Sequence, residues 1–122
     1  MTAAEAYHGF WAQFGIPVFE EGAAPRTLRG PCVTYRYAEG TGDGENADLS
    51  VSLWVWSPSW RDAAAIADRI GEALPRGGTF LPFEGGTIWL RRGTPWQISA
   101  GDGEDPLLRR VIFNIKARFY RA

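Results

Sequence analysis

The stretch from residue 48 to residue 74, DLSVSLWVWSPSWRDAAAIADRIGEAL, most narrows the folds open to this chain. Polar and apolar residues alternate from Asp48 to Val55, which is the period of a strand with one face on a core. Pro58 interrupts the alternation, and Ser59 with Asp62 three residues later predicts a capping box. Apolar residues then recur at helical spacing, at positions 63, 66, 67, 70 and 74. The stretch therefore predicts a strand, a sharp stop and an amphipathic helix.

A second helix is predicted near the N-terminus, over residues 2–14. Thr2 and Glu5 form a capping-box pattern, and aromatic residues at positions 7, 10, 11 and 14 share one face. Gly15 and Pro17 end the helix. Residues 16–31 are rich in proline and glycine, which indicates a surface connector without regular structure.

The rest of the chain is dominated by strand patterns. Alternation predicts strands over residues 33–37, 48–55, 79–81, 87–91, 96–100 and 111–119. The predicted order is α-β-β-α-β-β-β-β, and its hairpin connections favour a mostly antiparallel sheet. We therefore expect an α+β protein, with residues 1–122 forming a single two-layer domain. About five to six strands would make the sheet, and both helices would cover one face of it.

Composition excludes several classes of function. A net charge of −1 argues against broad affinity for nucleic acid, which would require a clear excess of basic residues. The single Cys32 cannot form an internal disulfide, which favours either a reducing compartment or a role that does not depend on redox conditions. The N-terminal residues lack the pattern of a signal peptide, and no segment is apolar enough to suggest a membrane span. We expect a cytosolic protein, at least at the time of folding.

The sequence offers little catalytic chemistry. His8 is the only histidine, and no serine or cysteine nucleophile can be paired with it from the sequence. Cys32 has no nearby thiol or second histidine to support a metal site. The acidic loops do not match a calcium-binding loop, and the glycines of residues 76–86 lack the lysine of a phosphate-binding loop. We therefore expect no catalytic, cofactor-binding or metal-binding residues, and no enzymatic activity.

Aromatic and charged residues instead indicate an interaction surface. Trp54 and Trp56 fall on the face of their strand opposite the core, and a two-layer domain should leave that face uncovered. Six tryptophans are many for this length, and tryptophan and arginine are enriched at protein interfaces. A small core filled by large rings would explain the tryptophans equally well.

The charges are unevenly distributed along the chain. Residues 1–61 carry seven acids and four bases, whereas residues 62–122 carry seven acids and nine bases. Two loops, at residues 38–46 and 101–106, are acidic, and the last strand has a basic outer face. This separation permits head-to-tail self-association, which closes into rings when the rotation allows. A plain solvated sheet face is the alternative. The residues predicted for a subunit interface are Trp54, Trp56, Asp102, Glu104, Asp105, Arg110, Lys116 and Arg118.

Four segments together resemble the tail-terminator, or tail-to-head joining, family of long-tailed bacteriophages and related phage-derived particles. They are IPVFEEGAAP (residues 16–25), LSVSLWVWSPSWRDAAAIADRI (49–70), GGTFLPFEGGTIWLRRGTPW (77–96) and RRVIFNIKARFY (109–120). They cover most of the chain, although none is a catalytic motif. The resemblance rests on the order and character of the segments.

The resemblance implies a structural virion protein with an α+β fold. Such proteins form a ring, typically a homohexamer, that caps the tail tube, ends its polymerisation and joins the tail to the head. The implied partners are other copies of the chain, the tail-tube protein and a head-completion or connector protein, with DNA only passing through the lumen and no membrane contact. The implied location is the head-proximal end of the virion tail, and the host cytoplasm during assembly.

Two other functions stay open. The first is another head–tail connector or minor tail subunit. The second is a small binding module that uses exposed aromatic residues.

Overall fold

A computed structural model describes residues 1–39, 45–101 and 104–122. Its elements run α1 (Ala3–Ala12), β1 (Val18–Glu20), β2 (Cys32–Tyr35), β3 (Asn46–Trp56), α2 (Arg61–Ala73), β4 (Thr79–Phe83), β5 (Gly86–Gly101) and β6 (Leu108–Arg121). The six strands form one sheet in the order β1-β2-β3-β6-β5-β4. Only the β1–β2 pair is parallel. The predicted α+β class, the mostly antiparallel sheet and the two-layer arrangement are confirmed.

The predicted order of elements is wrong at two places. A short strand, β1, lies inside the segment predicted to be an irregular connector, and it pairs with β2 from Val18 to Glu20. The two strands predicted over 87–91 and 96–100 belong to one long strand, β5, whose pairing with β6 shifts register between Arg92 and Gln97. A bulge of this kind bends a strand without ending it. The observed order is therefore α-β-β-β-α-β-β-β.

The two helices begin in different ways. Thr2 caps α1 as predicted, because its hydroxyl accepts from the Glu5 N–H and the Glu5 carboxylate accepts from the Thr2 N–H. The predicted box at α2 is wrong. The residue before α2 is Trp60, which makes no side-chain cap. Asp62 instead accepts a hydrogen bond from the Ser57 hydroxyl at 2.8 Å, and this bond ties the helix to the end of β3.

The core lies between the helices and one face of the sheet. Alternate residues of the central strands are buried there, namely Leu49, Val51, Leu53, Val55, Val111, Phe113, Ile115, Ala117 and Phe119. The predicted aromatic stripe of α1 packs on them, with the Trp11 ring centroid 6.4 Å from that of Phe113. Trp96 contacts the same phenyl ring at 5.1 Å. The alternation read from the sequence thus correctly separates the core face from the outer face of β3 and β6.

Three tyrosine rings, one of them from Tyr7 on α1, meet at the edge of this core. The rings of Tyr7 and Tyr35 meet edge to face at 5.6 Å, and Tyr7 and Tyr37 are 5.5 Å apart. The predicted strand over 33–37 ends at Tyr35, so Tyr37 contributes its ring from beyond the sheet. Burial raises the pKa of Tyr37 to about 12, although the nearby Arg121 opposes the shift. Burial also raises the pKa of Tyr7 and of Tyr35.

Removing a core ring should cost far more stability than trimming its neighbour on the outer face. Phe113 is fully buried, whereas Ile112 is only partly buried on the opposite face. We expect Phe113→Ala to lower the free energy of unfolding by about 3 to 5 kcal/mol. Ile112→Ala should lower it by about 1 kcal/mol. Urea unfolding of both variants measures the difference, and equal losses would contradict the assigned core face.

The tyrosines should make the fold sensitive to alkali. The folded state holds the Tyr37 proton more tightly than a free tyrosine, whose pKa is 10.0. Ionisation of Tyr37 should therefore leave the free energy of unfolding unchanged below about pH 10. The free energy should fall as the pH rises towards the folded pKa. Tyr37→Phe should show a smaller loss of urea resistance between pH 9 and pH 11.5 than the parent. Identical losses in the two proteins would show that another group is responsible.

Candidate interaction surface

The face of the sheet opposite the helices, here called the outer face, carries a mixture of polar, basic and aromatic side chains. Cross-strand pairing fixes which residues share it, because partners in register project to the same side. The outer face contains Thr34, Asn46, Asp48, Ser50, Ser52, Trp54, Trp56, Phe80, Trp89, Arg91, Ile98, Arg110, Ile112, Asn114, Lys116 and Arg118. Of the eight interface residues predicted from the sequence, five lie on this face: Trp54, Trp56, Arg110, Lys116 and Arg118.

Trp54 and Arg110 are held together near the β2 side of the outer face. The guanidinium carbon of Arg110 lies 4.6 Å from the centroid of the Trp54 ring. Arg110 also donates two hydrogen bonds to the Ser52 hydroxyl, at 3.1 and 3.0 Å. The indole N–H of Trp54 donates to the Thr34 hydroxyl at 2.9 Å. Both side chains are therefore fixed before any partner binds, which reduces the entropy lost on association.

A second arginine–aromatic group lies near the β4 edge. The guanidinium carbon of Arg91 lies 4.2 Å from the centroid of the Trp89 ring, and Phe80 stacks on that tryptophan at 5.8 Å with an interplanar angle of 9°. The Trp89 indole donates to the Gly77 carbonyl, and Arg91 donates to the Asn46 side chain at 2.7 Å. These contacts orient the stack rigidly on the sheet.

Three basic residues, Arg91, Lys116 and Arg118, form what we call the basic strip beside this stack. Lys116 is the cross-strand partner of both Arg91 and Asp48. The guanidinium carbon of Arg118 lies 5.5 Å from the centroid of the Tyr120 ring. Arg91 and Lys116 are like charges directly opposite each other and repel, and Asp48 on the other side of Lys116 offsets part of that repulsion.

A cavity of about 410 Å³ opens at the opposite corner of the outer face. Trp54 and Trp56 line one side of it, and residues of the segment following β1, including Ala24 and Leu28, line the other. The expectation that this face is wholly uncovered at the two tryptophans therefore needs correction, since both are half-buried. Cys32 also lines the cavity, and burial raises the pKa of its thiol.

Two of the predicted acidic residues, Glu104 and Asp105, lie towards the same end of the sheet as the cavity. Asp105 accepts a hydrogen bond from the Leu107 N–H at 3.0 Å, and Glu104 is exposed. They immediately precede β6, whose first residue, Leu108, pairs with Trp56. Asp102 and the centre of the acidic loop at 38–46 lie outside the described residues. Glu104 and Asp105 therefore precede the end of β6 that pairs with Trp56, and Lys116 and Arg118 lie towards the other end of β6.

Sequence reasoning missed three parts of this surface: Phe80, Trp89 and Arg91. The alternation of Trp89 and Arg91 against Ile88 and Leu90 was a sufficient signal for the last two. Phe80 gave none, because its strand is short and its exposure depends on its position at the sheet edge. The cavity could not be predicted from the sequence either, since it forms between residues far apart in the chain.

The helix side has its own shallow depressions. Two openings of about 430 and 450 Å³ lie between α2 and β5 and share Ala67, Asp68 and Gln97 in their linings. In the part of the chain that the structure describes, no three histidine, cysteine or acidic residues are grouped to hold a metal ion. Within those same residues, no helix is long and apolar enough to cross a membrane.

Comparison with known proteins bears on the fold. No protein-family model and no curated protein matches the chain. Among solved structures, the chain is similar to one from the virion of a native gene transfer agent particle, with a TM-score of 0.58 and 20% sequence identity. The match covers 89% of this chain and 83% of the other. At that identity the likeness shows a shared fold.

Replacing Arg110 should destabilise the contacts around Trp54. Arg110→Ala removes the contact with the Trp54 ring and both hydrogen bonds to Ser52, and we expect it to lower the free energy of unfolding by about 1 to 2 kcal/mol. Arg110→Lys keeps the charge but loses the planar fork, so it should recover only part of the loss. Urea unfolding followed by tryptophan fluorescence measures both. Full recovery by lysine would contradict a geometric role for the guanidinium.

Proposed function

We propose that this protein is a structural component of a phage-like particle, and that it forms a ring that caps the tail tube, ends tube polymerisation and joins the tail to the head. The observation that carries this proposal is the likeness in fold to a chain of a gene transfer agent virion, which spans 89% of this protein. The resemblance of the four sequence segments to tail terminators supports the same role.

The outer face supports a function through assembly. It carries tryptophan and arginine side chains that are already ordered by contacts within the subunit, and such residues dominate binding energy at protein interfaces. The acidic residues Glu104 and Asp105 lie at one end of the sheet, whereas Lys116 and Arg118 lie towards the other. Contacts between unlike ends of identical subunits produce rings or filaments. A homohexamer is the ring that the family resemblance implies.

Non-enzymatic action is part of the proposal. Cys32 lies in the cavity with a raised thiol pKa, and a thiol that resists ionisation is a poor nucleophile. The His8 ring is engaged by the Tyr35 hydroxyl at 2.9 Å. The proposed partners are further copies of the chain, the tail-tube protein and a head-completion or connector protein, with DNA passing through the lumen. The proposed location is the head-proximal end of the tail, reached from the host cytoplasm during assembly.

Light scattering and electron microscopy test the ring directly. The purified protein, alone and mixed with tail tubes, should give a ring of defined mass by size-exclusion chromatography with light scattering. Negative-stain images should show that ring at one end of each tube. A protein that stays monomeric at high concentration and in the presence of tubes would overturn the proposal. A ring located away from the tube end would instead favour another connector or minor tail subunit.

Reversing a charge in the basic strip should weaken assembly more than folding. Arg118 is a half-buried residue of the outer face, and we expect Arg118→Glu to shift the ring towards smaller species while changing the unfolding midpoint little. Arg61→Glu makes the same change of charge on α2, in the helical layer, and should leave the ring intact. Sedimentation velocity and thermal unfolding of both variants provide the measurements. An equal loss of thermal stability and of assembly in Arg118→Glu would contradict this assignment.

The cavity beside Trp54 and Trp56 favours a second candidate, a small binding module. It is lined largely by apolar atoms with a few polar groups, which is the usual character of a ligand site. Native mass spectrometry of the purified protein distinguishes the two. A stoichiometric small molecule on a monomer would support the binding module, whereas an unliganded oligomer would count against it.

A further inference from the structure

The cavity beside Trp54 and Trp56 lies between the sheet and a covering segment of the chain. Cys32 pairs with Trp54, so its side chain projects to the outer face, and yet it is only 2% exposed. The segment that follows β1 provides the cover, because Ala24 and Leu28 line the cavity opposite the sheet. The volume of about 410 Å³ falls within the range of small-molecule sites. The cavity can therefore hold a molecule from two sides.

Hydrogen bonds within the covering segment order it before anything binds. The Ala23 N–H donates to the Glu20 carbonyl at 2.9 Å, and the Leu28 N–H donates to the Pro25 carbonyl at 3.1 Å. The guanidinium group of Arg29 then donates to the Leu28 carbonyl at 3.0 Å. An occupant therefore meets a preformed site, and little free energy is lost to reordering the chain.

The two tryptophans give the cavity a flat apolar wall. Trp54 and Trp56 are two residues apart on β3, so their side chains leave the strand on the same face, roughly 7 Å apart. The Trp54 indole is fixed by its hydrogen bond to Thr34. Trp56 is the cross-strand partner of Leu108, which also lines the cavity. A flat hydrocarbon body gains free energy by covering such a surface.

Positive charge surrounds this apolar wall. Arg26 and Arg110 line the cavity, and the guanidinium carbon of Arg29 lies 5.8 Å from the centroid of one of the tryptophan rings. Glu21 supplies a carboxylate to the described lining, but it is already paired with Arg36 at 3.4 Å. Within the part of the chain that the structure describes, no carboxylate forms an ion pair with any of the three arginines. The unbalanced charge favours an anion.

Arg110 can bind an acidic group without giving up its present contacts. Its Nε and Nη2 atoms donate to the Ser52 hydroxyl, which leaves Nη1 for a ligand. Arg26 belongs to the covering segment, and its exposed side chain can turn towards the cavity. Guanidinium groups bind carboxylates through charge-assisted hydrogen bonds, which are stronger where apolar walls exclude water.

We propose that the cavity beside Trp54 and Trp56 binds a small aromatic carboxylate, whose flat ring packs on the two indoles and whose acidic group pairs with Arg110 and Arg26. The inference rests on the cavity that favours the second candidate function, and it names the class of ligand for that site. It does not depend on the ring, because one subunit supplies every residue of the site.

Isothermal titration calorimetry with three matched probes tests the site in the full chain. Cinnamate has a flat ring and a carboxylate, cinnamamide has nearly the same shape without the charge, and acetate has the charge without the ring. Cinnamate should bind at one site per subunit, about tenfold more tightly than cinnamamide, because only the carboxylate pairs with the arginines. Acetate should give no measurable binding.

A pair of arginine variants locates the anion. Arg26→Gln should weaken cinnamate binding by about three- to tenfold and leave cinnamamide binding unchanged. It should fold like the parent, because Arg26 is exposed and its side chain makes no hydrogen bond or ion pair with the described residues. Arg76→Gln makes the same change in the exposed turn before β4 and should alter neither affinity. Urea unfolding checks the stability of both variants.

A third variant blocks the cavity itself. Ala24 is a half-buried residue of the lining, so Ala24→Phe should place a ring where the ligand would lie and abolish the binding of cinnamate. Unchanged binding of cinnamate to a folded Ala24→Phe protein would place the site elsewhere and overturn the inference.

Three other results would also overturn it. Absence of cinnamate binding at millimolar concentrations would exclude this class of ligand. Equal affinity for cinnamate and cinnamamide would show that apolar contact alone fills the cavity, as a side chain of a partner protein could. Equal affinities of Arg26→Gln and Arg76→Gln for cinnamate would place the anion away from Arg26.

Light scattering on the same samples separates this inference from the proposed ring. A ring that binds no cinnamate would leave the ring function standing and overturn the inference. A protein that binds cinnamate but stays monomeric with tail tubes would support the inference and overturn the ring.

Discussion

The pairing of β3 with β6 is the interaction on which the rest of the structure depends. The two strands stay in register from Asn46 with Arg118 to Trp56 with Leu108. Because side chains alternate along each strand, this one register determines which residues lie on the core face and which lie on the outer face. It buries Leu53 and Val111 beneath the helices, and it brings Trp54 against Arg110 on the outer face. A slip of one residue would place charges in the core and expose the apolar residues.

Arginine side chains cover the aromatic rings of the outer face. Trp54, Trp56, Trp89 and Tyr120 each have a guanidinium group within 6 Å of the ring centroid. These contacts cover part of each ring while leaving polar groups towards solvent, so the rings need not collapse on one another. Lysine could supply the charge but not the flat surface that stacks on a ring. The near-exclusive use of arginine, with Lys116 as the single lysine, therefore has a structural consequence on this face.

The sequence predicted those elements whose residues repeat with a clear period. The alternation in β3 and β6 and the helical spacing around Ile70 are local, so no knowledge of the rest of the fold was needed. The three residues of β1 were missed because they lie among prolines and glycines and gain their strand geometry only by pairing with β2. The bulge in β5 looked like two strands for the same reason, since pairing with β6 holds its halves together. The position of a side chain on the outer face could be predicted where a single strand displayed it, as for Trp54 and Arg118. The cavity could not, because distant segments create it.

The two edges of the sheet bear on the proposed assembly of copies of this chain. At one edge β1 offers only three residues, and at the other β4 contains Pro82, which has no N–H to donate. Neither edge is a good template for adding strands from another molecule. In the proposed ring, recognition between copies would therefore depend on side chains, which differ from one sequence to the next, and not on the backbone, which is common to all proteins. Such a subunit can be abundant before assembly without joining unrelated sheets, and its choice of neighbour can be altered by a few substitutions that leave the fold unchanged.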